Sequence, residues 1–97
     1  MNDKIIGKIP RNISLFSDYP NPFNPSTTIE FNLPKTSKVT LKIFNILGEE
    51  VTTLVSEKLS TGSYIYEWDA SNLASGVYLY RLEAEGFVET KKMMLMK

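Results

Sequence analysis

The stretch Tyr-Pro-Asn-Pro-Phe-Asn-Pro-Ser at residues 19–26 constrains the backbone more than any other part of this sequence. It holds three of the five prolines. Each proline fixes φ near about −65°, removes an N–H donor and pushes the preceding residue towards an extended conformation. The stretch therefore cannot be helix or the interior of a central strand. We predict an ordered, turning entrance to a β-domain, in which Tyr19 and Phe23 are buried as flanking anchors.

Length and composition exclude several classes of function. The 97 residues suffice for one small domain with a single core, and 42% apolar with 23% charged residues is ordinary for a globular chain. Eleven basic residues balance eleven acidic ones, so no overall field favours nucleic acid or anionic lipid. Cysteine and histidine are both absent, which removes disulfides, thiolate chemistry and the commonest general base. We predict no enzyme, no cofactor, no metal and no nucleic-acid partner.

Downstream of the entrance, apolar and polar residues alternate in short segments separated by turn signals. A poor alternation at residues 13–17 predicts a short edge strand. Clearer alternation predicts strands at residues 27–33, 39–43, 51–55, 64–68, 78–84 and 87–96. Glycines between these segments predict tight turns, including a two-residue hairpin at Glu85 and Gly86. About seven short antiparallel strands without a helical period predict an all-β fold, an immunoglobulin-like β-sandwich.

The inward parity of these strands predicts the core. Its expected members are Ile29, Phe31, Val39, Leu41, Ile43, Tyr64, Trp68, Tyr78, Tyr80 and Leu82. Trp68 is expected to fill the largest central volume. Residues 1–14 are expected to be a linker stub and residues 15–97 the β-domain. No stretch approaches the roughly 20 apolar residues of a membrane span, so we expect no direct membrane insertion.

Three other patterns could in principle form a catalytic, metal-binding or sugar-binding site. Carboxylates lie close together in the sequence at Glu49 with Glu50, Glu67 with Asp69, and Glu83 with Glu85. On strands, such pairs either point to opposite faces or lie on a solvated face, which favours surface over acid–base catalysis. Asp69, Ser71 and Asn72 lack the spacing of a calcium loop and are typical of a capped turn. The tyrosines and Trp68 share the parity of the core, which favours burial over a sugar-binding platform.

Four stretches together resemble a known family: residues 19–29, 41–48, 76–82 and 92–97. They are similar to the C-terminal sorting domain (type A) of proteins exported by the bacterial type IX secretion system, over residues 15–97. The same strand-and-turn pattern is also similar to the immunoglobulin-like domain of the flagellar hook-capping protein, an assembly module. The tail from Lys92 to Lys97 favours the sorting family. A non-catalytic structural or carbohydrate-binding β-sandwich remains the alternative.

The resemblance implies a domain at the C-terminus of a longer cargo protein, to which it is covalently linked. The outer-membrane translocon would recognise the domain, and a sortase-like peptidase would cut in or before residues 1–15. The cargo would pass through the periplasm and then be released or anchored at the cell surface. The residues that the resemblance implies for translocon recognition are Pro20, Asn21, Pro22, Gly76, Tyr78, Lys92, Leu95 and Lys97. No function is carried onto residues 69–75.

Physical chemistry suggests how such residues could be recognised. A rigid Pro-Asn-Pro turn is a surface feature, and an accessible edge strand with lysines can be recognised by strand addition or by charge. We hypothesise that the last strand and its free end form the docking edge. An open edge also permits weak self-association between copies of the chain.

Overall fold

The computed structural model describes residues 12–97, which form two antiparallel sheets enclosing one hydrophobic core. The strands are β1 (Ser14–Leu15), β2 (Ser26–Leu33), β3 (Ser37–Asn45), β4 (Glu50–Leu59), β5 (Gly62–Asp69), β6 (Gly76–Ala84) and β7 (Phe87–Leu95). One sheet has the order β1-β2-β5 and the other the order β4-β3-β6-β7. The predicted all-β sandwich of about seven antiparallel strands is therefore confirmed. The strand expected at residues 13–17 is only two residues long.

The structure describes only the last part of the linker expected at residues 1–14. Residues 1–11 lie outside the described residues, while β1 already begins at Ser14. None of the residues that the structure describes forms a helix long and apolar enough to cross a membrane.

Alternating burial along the strands builds the core, as the period of two requires. In β2 every second residue from Thr27 to Leu33 is buried, and β6 repeats the pattern from Tyr78 to Ala84. The predicted core residues are all buried except Tyr64, which is only partly buried because β5 is an edge strand. Residues that the prediction left out of the core are also buried: Leu15, Phe23, Leu33, Val55, Ala70, Ala84, Met93 and Leu95.

The expected central position of Trp68 is wrong. Tyr80 is the largest side chain that is almost fully enclosed, whereas Trp68 keeps 6% of its surface exposed. Trp68 lies opposite Thr27, near the end of β5 and at the beginning of β2. It therefore closes one end of the sandwich, where strands give way to loops, instead of filling the middle.

The β3–β4 pairing contains two irregularities. The register shifts between Leu41 and Lys42 and again between Ile43 and Phe44. The partners of these residues skip Leu54 and Val51, so each extra residue belongs to β4. Such bulges bend and twist an edge strand, which makes it a poorer template for pairing with another chain.

The entrance passes from one sheet to the other. Phe16, which precedes the entrance, donates its N–H to the Glu30 carbonyl at 3.0 Å, and Tyr19 forms an isolated antiparallel bridge with Thr28. The chain therefore borders β2 up to the beginning of the entrance. Phe23 then forms a parallel bridge with Leu95 of β7 in the other sheet. The three X–Pro peptide bonds of the run are cis. The chain thus enters along one sheet and ends its entrance against the last strand of the other.

The two aromatic anchors behave differently. Phe23 is 2% exposed, as predicted, but Tyr19 is 79% exposed, so the prediction that both are buried is wrong for Tyr19. Tyr19 bonds to Thr28 through its backbone, which leaves its side chain in solvent. Phe23 lies between the sheets because its backbone pairs with β7.

Candidate recognition surface

The residues implied by the resemblance gather at one end of the sandwich. There β2 and β6 begin while β5 and β7 end, as the pairs Ser26 with Asp69 and Gly76 with Leu95 show. The entrance residues Asn21 and Phe23 bond to the tail at this same end. We call residues 21–23 together with residues 92–96 the entrance–tail clasp.

Backbone hydrogen bonds hold the clasp together. The Phe23 N–H donates to the Met94 carbonyl at 2.9 Å, and the Met96 N–H donates to the Phe23 carbonyl at 3.0 Å. The Asn21 side chain extends this ladder, since its Oδ1 accepts from the Met94 N–H at 3.1 Å and its Nδ2 donates to the Lys92 carbonyl at 3.5 Å. A short segment with a proline on either side of Asn21 thus adds to the β7 edge, and the Asn21 side chain supplies one acceptor and one donor where the two prolines lack N–H groups.

An aromatic cluster lies beneath the clasp. The Phe23 and Trp68 rings are 5.7 Å apart between centroids, and Trp68 meets Tyr78 edge-on at 5.5 Å. The Tyr78 hydroxyl donates to the Ala74 carbonyl at 2.7 Å, so this buried ring has its polar end satisfied. Leu95 is fully buried next to Phe23. Tyr78 and Leu95 therefore shape the surface from within and present little of their own side chains to solvent.

The tail lysine is bound to the loop between β5 and β6. The Lys97 N–H donates to Ser75 Oγ at 3.0 Å, and its Nζ donates to the Ser71 carbonyl at 2.7 Å. Hydrogen bonds from Ser71, with a smaller contribution from the charge of Lys97, hold the pKa of Asp69 below its usual value. This loop was given no role from the sequence, yet it is what positions Lys97. In the sequence, the only signal for this role is that residues 69–75 form a short loop with several polar residues.

Gly76 starts β6 with a backbone that favours glycine. Its φ is 151°, and it pairs with Leu95 at the last step of the β6–β7 ladder. No atom would lie within 4 Å of an added Cβ, so space does not select glycine here. The positive φ does, because L side chains rarely adopt it. Gly76 thus sets the direction in which the loop that holds Lys97 enters β6.

A buried polar group anchors the start of the entrance. The Thr27 hydroxyl has two acceptors, Oδ2 of Asp18 at 2.8 Å and the Pro20 carbonyl at 2.9 Å. Asp18 is 4% exposed, and burial raises its pKa above the usual value, opposed by the Thr27 hydrogen bond. Pro20 itself is exposed, so it contributes its carbonyl inward and its ring to the surface.

Exposed residues of the clasp border a groove. Asn21, Pro22, Lys92, Met93 and Met94 line an open groove of about 240 Å³ beside β7. Pro22, Lys92 and Met94 are exposed, whereas the Met93 side chain is buried on the core face of β7. A groove bordered by an exposed proline, methionine and lysine suits an extended peptide that carries an apolar and an acidic side chain.

The clasp changes the picture of the last strand as an open edge. The entrance covers β7 at Met94 and contacts Lys92, so the C-terminal part of this edge is already paired. The earlier part of β7 remains an edge of the four-stranded sheet. The eight residues implied by the resemblance thus lie at one end of the sandwich. The contacts between them mostly hold the folded domain together.

The other chemical patterns find little support in the described residues. Across residues 12–97, no three acidic side chains come close enough to hold a metal ion. Tyr64 and Tyr66 stack on Phe31, with ring centroids 5.5 Å and 5.9 Å away. Their ring faces therefore pack against the core and are not presented to a sugar. The exposed aromatics in this part of the chain are Phe16 and Tyr19.

Comparison with known proteins identifies one family. A family model described as "Secretion system C-terminal sorting domain" matches residues 17–96 of the 97-residue chain. The match begins at residue 17, just before the entrance, and runs through to the tail. A search of curated proteins gave no match.

Proposed function

The chain belongs to the family of secretion-system C-terminal sorting domains, and we propose that its entrance–tail clasp is the surface recognised by the type IX machinery. As a member of this family it is a C-terminal sorting signal for type IX secretion, with export directed towards the cell surface or the extracellular space. Domains of this family are in general non-catalytic.

One observation carries the proposal: Phe23 of the entrance and Leu95 of the tail are paired in the folded domain. Residues that lie far apart in the chain therefore form one surface, bordered by the exposed groups of Pro22 and Lys92. That surface exists only when the sandwich is closed. Recognition of the clasp would thus report that the domain has folded.

The steps that follow recognition are proposed on the same basis. The outer-membrane translocon would pass the linked cargo from the periplasm to the outside. A sortase-like peptidase would then cut upstream of the domain, and the cargo would be released or anchored. Since β1 begins at Ser14, a cut before this residue would leave every strand of the sandwich intact.

The test is an export assay with matched lysine variants. A signal peptide and a fluorescent reporter are fused before residue 1, and reporter outside the cell is measured in a strain with the type IX translocon and in a translocon-deficient sister strain. Lys92 in the clasp is changed by Lys92→Glu, and Lys38→Glu serves as the control. Both lysines are exposed, but Lys38 lies at the opposite end of the sandwich, where β3 begins.

We expect Lys92→Glu to lower translocon-dependent export about tenfold, the change that corresponds to about 1.4 kcal/mol of binding. Lys38→Glu is expected to export like the unchanged chain. The melting temperature of each purified domain shows whether either variant is unfolded. Equal export by the two folded variants would contradict recognition through the clasp, and wild-type reporter retained in both strains would contradict the export role itself.

A further inference from the structure

The outer edge of β7 is open along its first half. β7 pairs with β6 on one side and forms the edge of the four-stranded sheet on the other. Both the N–H and the C=O of Met94 point outward, because both bond to the entrance. Backbone groups alternate between the two sides of an antiparallel strand, so Val88, Thr90 and Lys92 also point their N–H and C=O outward. Among the backbone bonds of residues 12–97, none reaches these groups of Val88 or Thr90.

We propose that this open edge pairs with the same edge of a second copy of the chain, antiparallel, with Thr90 opposite Thr90. In this register Thr90 exchanges two backbone bonds with its counterpart, and the Lys92 N–H of each copy donates to the Val88 carbonyl of the other. The Lys92 carbonyl takes no part, because it already accepts from Asn21 Nδ2 at 3.5 Å. The two four-stranded sheets join into a continuous sheet across a two-fold axis. The ladder ends at Lys92, because Asn21 and Phe23 already occupy the edge from there onward.

The charges on the neighbouring face select this register. Glu89 and Lys91 flank Thr90, and in the Thr90-centred register each Glu89 lies opposite the Lys91 of the other copy. These are non-hydrogen-bonded positions, where opposite side chains approach most closely. A register centred on Glu89 would instead place Glu89 against Glu89, and one centred on Lys91 would place Lys91 against Lys91. Like charges directly opposite each other are destabilising, so the sequence of β7 is complementary to itself in one register.

The side chains needed for this pairing are accessible. Glu89 and Lys91 form an ion pair within the strand at 3.4 Å and keep 40% and 30% of their side chains exposed. Each can therefore also meet its counterpart across the two-fold axis, giving a group of four alternating charges. Thr90 is exposed on the opposite face, and threonine pairs across strands are among the favourable ones. The pairing centres on Thr90, outside the clasp, and Lys92 is the one clasp residue that takes part in it.

The opposite edge of the four-stranded sheet, formed by β4, is less suited to pairing with a second copy. β4 carries the two bulges, which interrupt the regular spacing of its backbone groups. The open half of β7 is regular in its pairing with β6 from Phe87 onward. Only a few residues of each copy take part, so we expect a weak dimer with a Kd of roughly 0.1 mM.

Analytical ultracentrifugation of the purified chain from micromolar to millimolar concentration tests the dimer. The variants are Glu89→Lys, Lys91→Glu and the double exchange of both residues. Each single variant places like charges opposite each other and is expected to weaken association about tenfold. The double variant restores opposite charges across the axis and within the strand, and is expected to associate like the wild type. A wild-type chain that stays monomeric at millimolar concentration, or a double variant as weak as the singles, overturns the proposal.

Two further variants separate edge pairing from other contacts. Thr90→Pro removes an outward N–H that the β6 pairing does not use, so the sandwich is retained while the ladder loses its centre. Ile65→Glu changes an exposed apolar residue on the other sheet and should leave association unchanged. Undiminished association of folded Thr90→Pro, or loss of association in Ile65→Glu, assigns the contact elsewhere and contradicts the β7 edge.

Discussion

Asp18 carries a carboxyl group that the fold buries without pairing it fully. Its Oδ2 accepts from the Thr27 hydroxyl, whereas its Oδ1 has no partner among the described residues. Burial raises the pKa of Asp18, and burial together with the charge of Asp18 raises the pKa of Tyr80 well above its usual value. A buried carboxylate without full hydrogen bonding costs stability when it is charged. At the scale of single residues, Asp18 therefore makes the stability of the domain depend on pH.

Asp18→Asn tests this dependence. A raised pKa in the folded state means that the contribution of Asp18 is fully present below its unfolded pKa near 3.8 and is lost as pH rises through its folded value. Asn keeps an oxygen for Thr27 and cannot ionise. We therefore expect the free energy of unfolding of Asp18→Asn, relative to wild type, to increase from pH 3 towards pH 7 in urea denaturation, across roughly the range over which such groups titrate.

Asp69→Asn is the control with the opposite sign. Hydrogen bonds from Ser71 lower the pKa of Asp69, so its contribution is present at neutral pH and is lost as pH falls through the folded value. The relative stability of Asp69→Asn should therefore decrease as pH rises over the same range. Parallel slopes for the two variants would contradict the assignment of Asp18 as a buried, underpaired carboxyl.

Glu85 is held in a left-handed conformation in the β6–β7 hairpin. Its φ is 48° and that of Gly86 is 81°, the pattern of a two-residue turn that prefers Asn-Gly. A residue other than glycine or asparagine pays about 1 kcal/mol in this region. We expect Glu85→Asn to raise the free energy of unfolding by about 0.5–1 kcal/mol in chemical denaturation. Glu85→Gln removes the same charge without favouring this conformation and should change stability little; an equal gain for both variants would assign the effect to charge.

At the scale of elements, the entrance works as a short strand that serves both sheets. It bonds to β2 through Tyr19 and to β7 through Phe23. The prolines prevent it from continuing as a regular strand in either sheet. The change of sheet takes place at residues 19–23, which is where the proline-rich run was expected to turn the chain.

Substitution of the two aromatic residues of the entrance tests whether stability depends on burial of the ring or only on its place in the turn. Phe23→Ala removes a ring packed on Trp68 between the sheets, and we expect a loss of about 3–5 kcal/mol in the free energy of unfolding. Tyr19→Ala removes an exposed side chain whose backbone bonds to Thr28 persist, and its effect should stay within about 0.5 kcal/mol. Chemical denaturation of both variants measures the difference; similar losses would show that Tyr19 also packs against the domain.

At the scale of the whole molecule, the two ends of the sandwich differ in what they expose. The clasp end joins the entrance, the tail and the loop that binds Lys97. The opposite end holds the Glu85–Gly86 hairpin and the start of β3. The fold brings residues 21–23 and 92–96 to the same end of the sandwich.

Extension of the chain after Lys97 tests whether the tail must be free. Lys97 is exposed and bonds to Ser75 and Ser71 through its N–H and Nζ, so a short Gly-Ser-Gly extension should leave the melting temperature unchanged. If the machinery binds the tail at the clasp, translocon-dependent export of the reporter should fall about tenfold, as for a loss of about 1.4 kcal/mol in binding. Full export of the extended chain would show that recognition does not require a free tail. The same extension placed in the Glu85–Gly86 hairpin is the control for added length.

Much of the fold was predictable because its signals are local. Strands β2, β3, β5 and β6 follow from alternation over a few residues, and the hairpin turns follow from glycines at their centres. The same alternation predicted that Tyr78, Tyr80 and Trp68 point inward. The family resemblance was readable from four short stretches, and the match over residues 17–96 confirmed it.

The candidate site was predictable as a set of residues but not as an arrangement. The alternation of apolar and polar residues predicts which face of the sheet a side chain lies on, but it does not predict which segment pairs with the edge of that sheet. Asn21 and Lys92 are 71 residues apart, and their contact depends on how both sheets close. Local pattern therefore missed the pairing of Phe23 with Leu95, the burial of Asp18 and the exposure of Tyr19.

The β-strands and their inward faces follow from the amino-acid sequence, because period-two patterning and turn chemistry act between near neighbours. The family follows from the resemblance of four short stretches and from the match over residues 17–96. The folded arrangement of the two sheets places the entrance over one half of the β7 edge and leaves the other half open. It also decided that Lys97 is bound by the loop before β6. These features arise where segments distant in the chain meet, and their geometry is fixed only when the two sheets pack around a common core.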